Sequence, residues 1–156
     1  MIRTGGCQCG AIRYRIEGEL GRASICHCRM CQKAFGAFYG PYVSARAEQV
    51  TWTRGRPKYF QSSNVVRRGF CPDCGTQLTF EGGPKWFDFA IGTLDHPTDV
   101  RPVVQIGLEA KLPWVDDLGD IATRSPEEAA KLEGYYASVV SNQHPDHDTE
   151  SWTPKA

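Results

Sequence analysis

The chemistry of this chain is concentrated in seven cysteines, and each lies within three residues of another. Cys7 and Cys9 form a C-x-C, Cys26, Cys28 and Cys31 a C-x-C-x-x-C, and Cys71 and Cys74 a C-x-x-C. Thiolates so spaced can hold one ion through a tight turn, and a closed structural zinc site takes four such ligands. The pairs Cys7/Cys9 and Cys71/Cys74 add up to four. The triad Cys26/Cys28/Cys31 supplies three and leaves a position for water or substrate, the pattern of a catalytic zinc. Soft thiolates select zinc, copper(I) or iron–sulfur chemistry, and zinc suits the four-thiolate set best. Spacing alone leaves other partitions open. Cys71 and Cys74 could join two of the triad, His27 or a distant residue could complete a second structural site, or the triad could be a weak or empty site. The odd number argues against a fully paired disulfide framework.

Length and charge narrow the setting. The 156 residues suit a single domain, with a core over 4–115 and a helix and tail over 116–156. Eighteen Lys and Arg balance eighteen Asp and Glu, so the basic excess of a nucleic-acid binder is missing. No apolar run after Met1 resembles a signal peptide, and no stretch is long enough to span a bilayer. The expected location is cytoplasmic, where thiols stay reduced.

The elements that would position the cysteines read as mainly β. Residues 11–16 alternate as a strand, and Gly5, Gly6 and Gly10 suggest a knuckle around the first pair. A short helix is expected over Arg29–Ala37, then an extended aromatic stretch broken by Pro41. Further strands are expected at 50–52, 58–62, 64–70, 77–80, 86–91 and 103–108. Ser125-Pro126-Glu127-Glu128 starts a late helix, with Ser125 as cap and Glu128 completing a capping box, running to about Val140. The residues from Asn142 on are polar and are expected to be loose.

Three segments carry a family resemblance. Gly5-Gly6-Cys7-x-Cys9-Gly10-x-Ile12-Arg13-Tyr14, Cys26-His27-Cys28-x-x-Cys31-Gln32-Lys33-x-x-Gly36-Ala37 and Arg68-x-Phe70-Cys71-x-x-Cys74-Gly75-x-x-Leu78 resemble, in order, the motifs of the glutathione-dependent formaldehyde-activating (GFA) family, which includes centromere protein V. Gly92-Thr93-Leu94-Asp95 and Lys111-x-Pro113-Trp114 fit as well. The resemblance implies a β-tent fold of coiled antiparallel sheets with zinc knuckles. It implies a structural zinc on Cys7, Cys9, Cys71 and Cys74 and a catalytic zinc on Cys26, Cys28 and Cys31. It also implies carbon–sulfur lyase chemistry on a small thiol or a thiol–aldehyde adduct such as S-hydroxymethylglutathione. Gln105 departs from the pattern, standing where many members have histidine. The rival reading is a non-catalytic zinc module that binds a partner or buffers metal.

Arg29, Lys33, Arg67 and Arg68 cluster near the knuckles. Arg29, Lys33 and Arg68 are the candidates to hold the carboxylates of a glutathione-like ligand, against the plain alternatives of a solvated basic face or of arginines stabilising thiolate charge. His27, between two ligands, is expected beside the metal rather than on it. His96, His144 and His147 read as solvated, and Asp95 as closing a turn. Phe35, Phe38, Tyr39, Tyr42 and Trp52 read as core before pocket.

Overall fold

The computed structural model describes residues 1–153. In chain order its strands are β1 (Ile2–Gly6), β2 (Arg13–Glu17), β3 (Ala23–Cys26), β4 (Gly40–Arg46), β5 (Val50–Arg54), β6 (Lys58–Gln61), β7 (Arg67–Phe70), β8 (Gln77–Glu81), β9 (Trp86–Ala90) and β10 (Val104–Ile106). Two α-helices, α1 (Arg29–Phe35) and α2 (Pro126–Ser138), and five short 3₁₀ segments complete it. The mainly β architecture expected from the sequence is therefore the one the chain adopts.

The strands form two sheets. One is β1–β2–β5 and the other is β10–β3–β4–β9–β8–β7–β6. Pairing is antiparallel except at the edge, where β10 runs parallel to β3. The sheets meet around Phe89 of β9, whose ring lies 4.5 Å from Tyr14 of β2 and 6.1 Å from Trp52 of β5, centroid to centroid. Tyr14, Ile16, Leu78 and Phe89 are fully enclosed there. Burying side chains of this size contributes roughly 1.5–3 kcal/mol apiece.

Several local expectations needed adjustment. The knuckle glycines Gly5 and Gly6 belong to β1, whose apolar Ile2 faces out while Gly5 faces in, so alternation gives no signal there. The four-residue β3 is too short and small-chained to show a period. Pro41 does not break its stretch: it is the second residue of β4, paired with Ile25, and β9 joins the ladder only from Tyr42. A proline outside that ladder removes none of its hydrogen bonds.

The capping box forms as expected, with Glu128 N–H donating to Ser125 Oγ at 3.2 Å and Ser125 N–H to Glu128 Oε2 at 3.0 Å. None of α2's residues is buried, so its local capping, not packing, supports it. No helix among the described residues is long and apolar enough to cross a membrane.

Candidate metal centres

The first and third cysteine motifs fold as two facing loops. Cys7 follows β1 directly, its N–H donates to Ile12 carbonyl at 3.0 Å, and Ile12 N–H donates to Cys7 Sγ at 3.2 Å. Cys71 follows β7 in the same way, its N–H donating to Thr76 carbonyl at 2.9 Å. Gln8 N–H reaches across to Thr76 Oγ1 at 3.1 Å, joining loop to loop. The four sulfurs of Cys7, Cys9, Cys71 and Cys74 all lie within 4.8 Å of one another.

That arrangement fits zinc. A tetrahedron with metal–sulfur bonds of about 2.3 Å has edges of about 3.8 Å, and the sulfurs of Cys7 and Cys9 are 3.6 Å apart and those of Cys9 and Cys71 3.9 Å. All seven cysteines are free thiols. Burial pushes the Cys7 thiol up. Burial acts the same way on Cys74, but the Thr76 hydroxyl and the backbone N–H groups of Thr76 and Cys9 outweigh it and bring Cys74 down to about 6. Such a sulfur is already disposed to be a thiolate ligand.

The second motif builds a different centre at a strand–helix corner. Cys26 ends β3, Cys28 caps α1, and Cys31 lies in its first turn. Their three sulfurs also lie within 4.8 Å of one another, with no fourth His, Cys or carboxylate ligand in the group among the described residues. Burial pushes Cys26 up to about 12. At Cys28 burial is outweighed by the Cys31 N–H and its neighbours, and the thiol is lowered.

Close packing holds this corner. Gly107 lies with φ 69°, and a Cβ there would stand 2.8 Å from Cys28 N, so both the left-handed backbone and the approach demand glycine. Gln32 is buried and its amide donates to the carbonyls of His27 at 2.7 Å and Ala110 at 2.9 Å, tying the 107–110 segment to the motif. His27 is buried beside the cysteine triad, its Nε2 2.8 Å from Gln105 Oε1 and its ring edge-on to Tyr39. Gln105, the position where the sequence departs from the family pattern, is thus the partner of His27.

Of the three candidate cations, Arg29 and Lys33 stand on α1 and Arg68 on β7. All three line one cavity of about 390 Å³, together with Met30, Phe60 and Phe70. Arg29 is hydrogen-bonded to Gln32. Arg68 is 3% exposed and already engaged: Nε donates to Ser62 Oγ at 3.0 Å, Nη1 to the Tyr42 hydroxyl at 2.7 Å and Nη2 to Cys31 Sγ at 3.4 Å. Tyr42 donates in turn to Cys31 Sγ at 3.6 Å. Arg67 pairs instead with Glu81 at 2.7 Å. Tyr42 had only an aromatic-core reading from sequence, because its sulfur contact crosses from β4 to α1. Phe35 packs on it, whereas Phe38 is exposed against Trp114.

The described part of the tail, up to residue 153, makes specific contacts instead of standing free, and residues 154–156 lie outside the described residues. Its chain returns over the first cysteine loop, where His144 N–H donates to Gln8 carbonyl at 2.7 Å and the Trp152 indole to Cys9 carbonyl at 2.7 Å. His144 is buried, not solvated: its ring rests on Gly10, whose φ of 79° and missing Cβ make the seat. Asp95 does more than close a turn. Its carboxylate takes a two-pronged bond from buried Arg13, at 2.7 and 2.6 Å, and a further bond from Thr4. Arg13 also reaches tail residue Asp148, 2.9 Å away. No local pattern signals these contacts.

The model of the family described as glutathione-dependent formaldehyde-activating enzyme matches residues 2–110. A Schizosaccharomyces pombe protein named an uncharacterized lyase is 32% identical over 76 residues, 49% of this chain and 55% of that relative. The chain thus matches about half the length of the curated relative. A solved structure of a Rhodobacter sphaeroides protein superposes with a TM-score of 0.53 at 23% identity, covering 65% of this chain and 98% of the other. At that identity the likeness speaks for fold alone.

Proposed function

Because the chain belongs to the glutathione-dependent formaldehyde-activating enzyme family, we propose that it is a zinc-dependent carbon–sulfur lyase-type enzyme acting on thiol–aldehyde adducts such as S-hydroxymethylglutathione. Cys7, Cys9, Cys71 and Cys74 hold the structural ion, and Cys26, Cys28 and Cys31 hold the catalytic one. The observation that carries this reading is the pairing of a complete four-sulfur set with a three-sulfur set that has no fourth protein ligand among the described residues. The whole chain, 1–156, acts as one domain, and a cytoplasmic setting keeps its thiols reduced.

Each group has a physical task. Zinc in the three-thiolate centre supplies a soft Lewis acid that favours the ionised form of a bound thiol. Arg29 and Lys33, on the cavity wall, attract the carboxylates of a glutathione-like substrate. Met30, Phe60 and Phe70 give the same cavity an apolar wall. Gln32 and Gly107 hold the 107–110 segment against the corner. Addition of a thiolate to an aldehyde is easy without a catalyst, so the protein's contribution is chiefly to hold the two partners together.

The test is metal stoichiometry and calorimetry with and without glutathione, alongside turnover of the formaldehyde–glutathione adduct. Two zinc ions per chain are expected, one of them readily removed by a mild chelator and perturbed by glutathione. Arg29→Gln and Lys33→Gln should each weaken glutathione binding roughly two- to fivefold, as exposed charge contacts do. Two equally tight ions, no heat on adding glutathione and no turnover would favour a non-catalytic zinc module instead.

A further inference from the structure

Arg68 is a buried cation without a carboxylate. Among the described residues its hydrogen-bond partners are the Ser62 hydroxyl, the Tyr42 hydroxyl and the sulfur of Cys31, and its guanidinium lies 5.0 Å from the centre of the Phe80 ring. A guanidinium withdrawn from water needs an anion nearby, since an unpaired buried charge is strongly destabilising. The group in reach is the Cys31 sulfur, only 1% exposed, which is anionic whenever it ligates a metal. Tyr42 reinforces the link: its hydroxyl donates to the same sulfur at 3.6 Å and accepts from Arg68 Nη1 at 2.7 Å.

Charge arithmetic gives this contact a role. Three thiolates around a divalent ion leave one surplus negative charge, which opposes the arrival of a fourth, anionic sulfur. A unit positive charge in contact with one of the three cancels the surplus. We propose that Arg68 is a positioning residue for the thiol-binding step: acting through Cys31, its buried charge neutralises the three-thiolate centre so that a substrate thiolate can take the open position. This rests on the function proposed above. It also separates the three cations of the cavity, leaving Arg29 and Lys33 for the substrate's carboxylates and giving Arg68 to the metal's own ligand.

The test uses cobalt(II)-substituted full-length protein, whose thiolate-to-cobalt charge-transfer absorption reports the donor strength of the sulfurs. Glutathione and 2-mercaptoethanol are the probes, compared in wild type, Arg68→Met, Arg68→Lys and Tyr42→Phe. Losing a unit charge a few ångströms away, at an effective dielectric of about 20, should weaken binding of both thiols roughly ten- to hundredfold in Arg68→Met. Arg68→Lys should stay within about threefold of wild type, because the charge survives. Without the cation the Cys31 sulfur is the stronger donor, so the absorption of Arg68→Met should move to lower energy.

An Arg68→Met protein with wild-type thiol affinity and an unshifted band would overturn the proposal. So would an Arg68→Lys protein as defective as Arg68→Met, since charge would then not be what matters. Should Arg68→Met fail to fold, Arg68→Lys and Tyr42→Phe decide: near-wild-type binding in the first with a modest loss in the second supports the charge role, and the reverse order sinks it. If wild type itself shows no response to either thiol, the lyase reading fails, and the band position alone judges the contact of Arg68 with Cys31.

Discussion

The two sulfur clusters occupy opposite kinds of surroundings. The four-sulfur cluster is crossed by distant parts of the chain: two loops face each other, the Arg13–Asp95 pair lies behind them, and the tail lies on top. The three-sulfur cluster comes from a six-residue stretch, Cys26 to Cys31, and the charge against it is a cation. A centre tied to sequence-distant segments holds a fold together, because releasing it frees long loops. A centre made by one short segment can change its ligands without unfolding anything else. The same element, sulfur, is thus gathered by distant segments in one place and by a single short segment in the other.

The largest effect that would break this contrast is on folding. Cys71→Ser removes a ligand from the cluster that joins the loops, and structural zinc sites contribute on the order of 10 kcal/mol to folding. The expected product is insoluble or rapidly cut by protease. Cys28→Ser should melt near the wild-type temperature while altering the metal content of the second centre. Thermal melting with metal analysis reads both, and the contrast fails if the two variants behave alike.

A smaller effect tests the ionic backing of the first cluster. Arg13 and Asp95 are each 3% exposed at the side chain, so Asp95→Asn leaves the buried guanidinium to the half-exposed Asp148 in place of its buried two-pronged partner. A loss of about 3–5 kcal/mol is expected. Burial alone would raise the Asp95 carboxyl, but the Arg13 guanidinium and the Thr4 hydroxyl hold it below the usual carboxylate range. A depressed folded value means that its contribution is complete above the unfolded value of about 3.9 and disappears as pH falls through the folded one. Acid also releases thiolate-bound metal from both proteins, so the difference in stability between wild type and Asp95→Asn is what should be followed. It should be flat from neutral pH to about 4 and shrink below that. A difference that persists undiminished in stronger acid would remove the ion pair from the explanation.

What the sequence made legible follows the range of the interactions. The cysteine motifs announce themselves because their ligands are two or three residues apart, and the Ser125–Glu128 box because capping is local. Alternation over 11–16 locates β2, and the strands expected at 77–80 and 86–91 coincide with β8 and β9. Arg13 and Asp95 are 82 residues apart, and Trp152 lies 143 residues from Cys9. No period or motif connects such partners, and the polarity of the tail does not distinguish a loose segment from one hydrogen-bonded across a loop. Arg68 shows a subtler failure. Its place in the motif was plain, but whether an arginine near cysteines faces a ligand or a sulfur is settled only by where β7 sets it against α1.

The smallest expected effect concerns that tail. The Trp152 indole and the His144 N–H satisfy the carbonyls of Cys9 and Gln8 on the outer side of the first loop. One such hydrogen bond is worth about 0.5–1.5 kcal/mol net, so Trp152→Phe should lower global stability by about 1 kcal/mol. Its sharper consequence is local. Opening of the loop precedes metal loss, and a looser loop opens more often. Zinc release from the four-thiolate centre to a chromogenic chelator should therefore quicken by roughly fivefold, the factor that about 1 kcal/mol implies. Release from the three-thiolate centre should not change. Deleting residues 143–156 should quicken the first release further and still spare the second. Equal acceleration at both centres would mean that the tail stabilises the molecule as a whole, and the difference between the two clusters would then lie only in their ligand count.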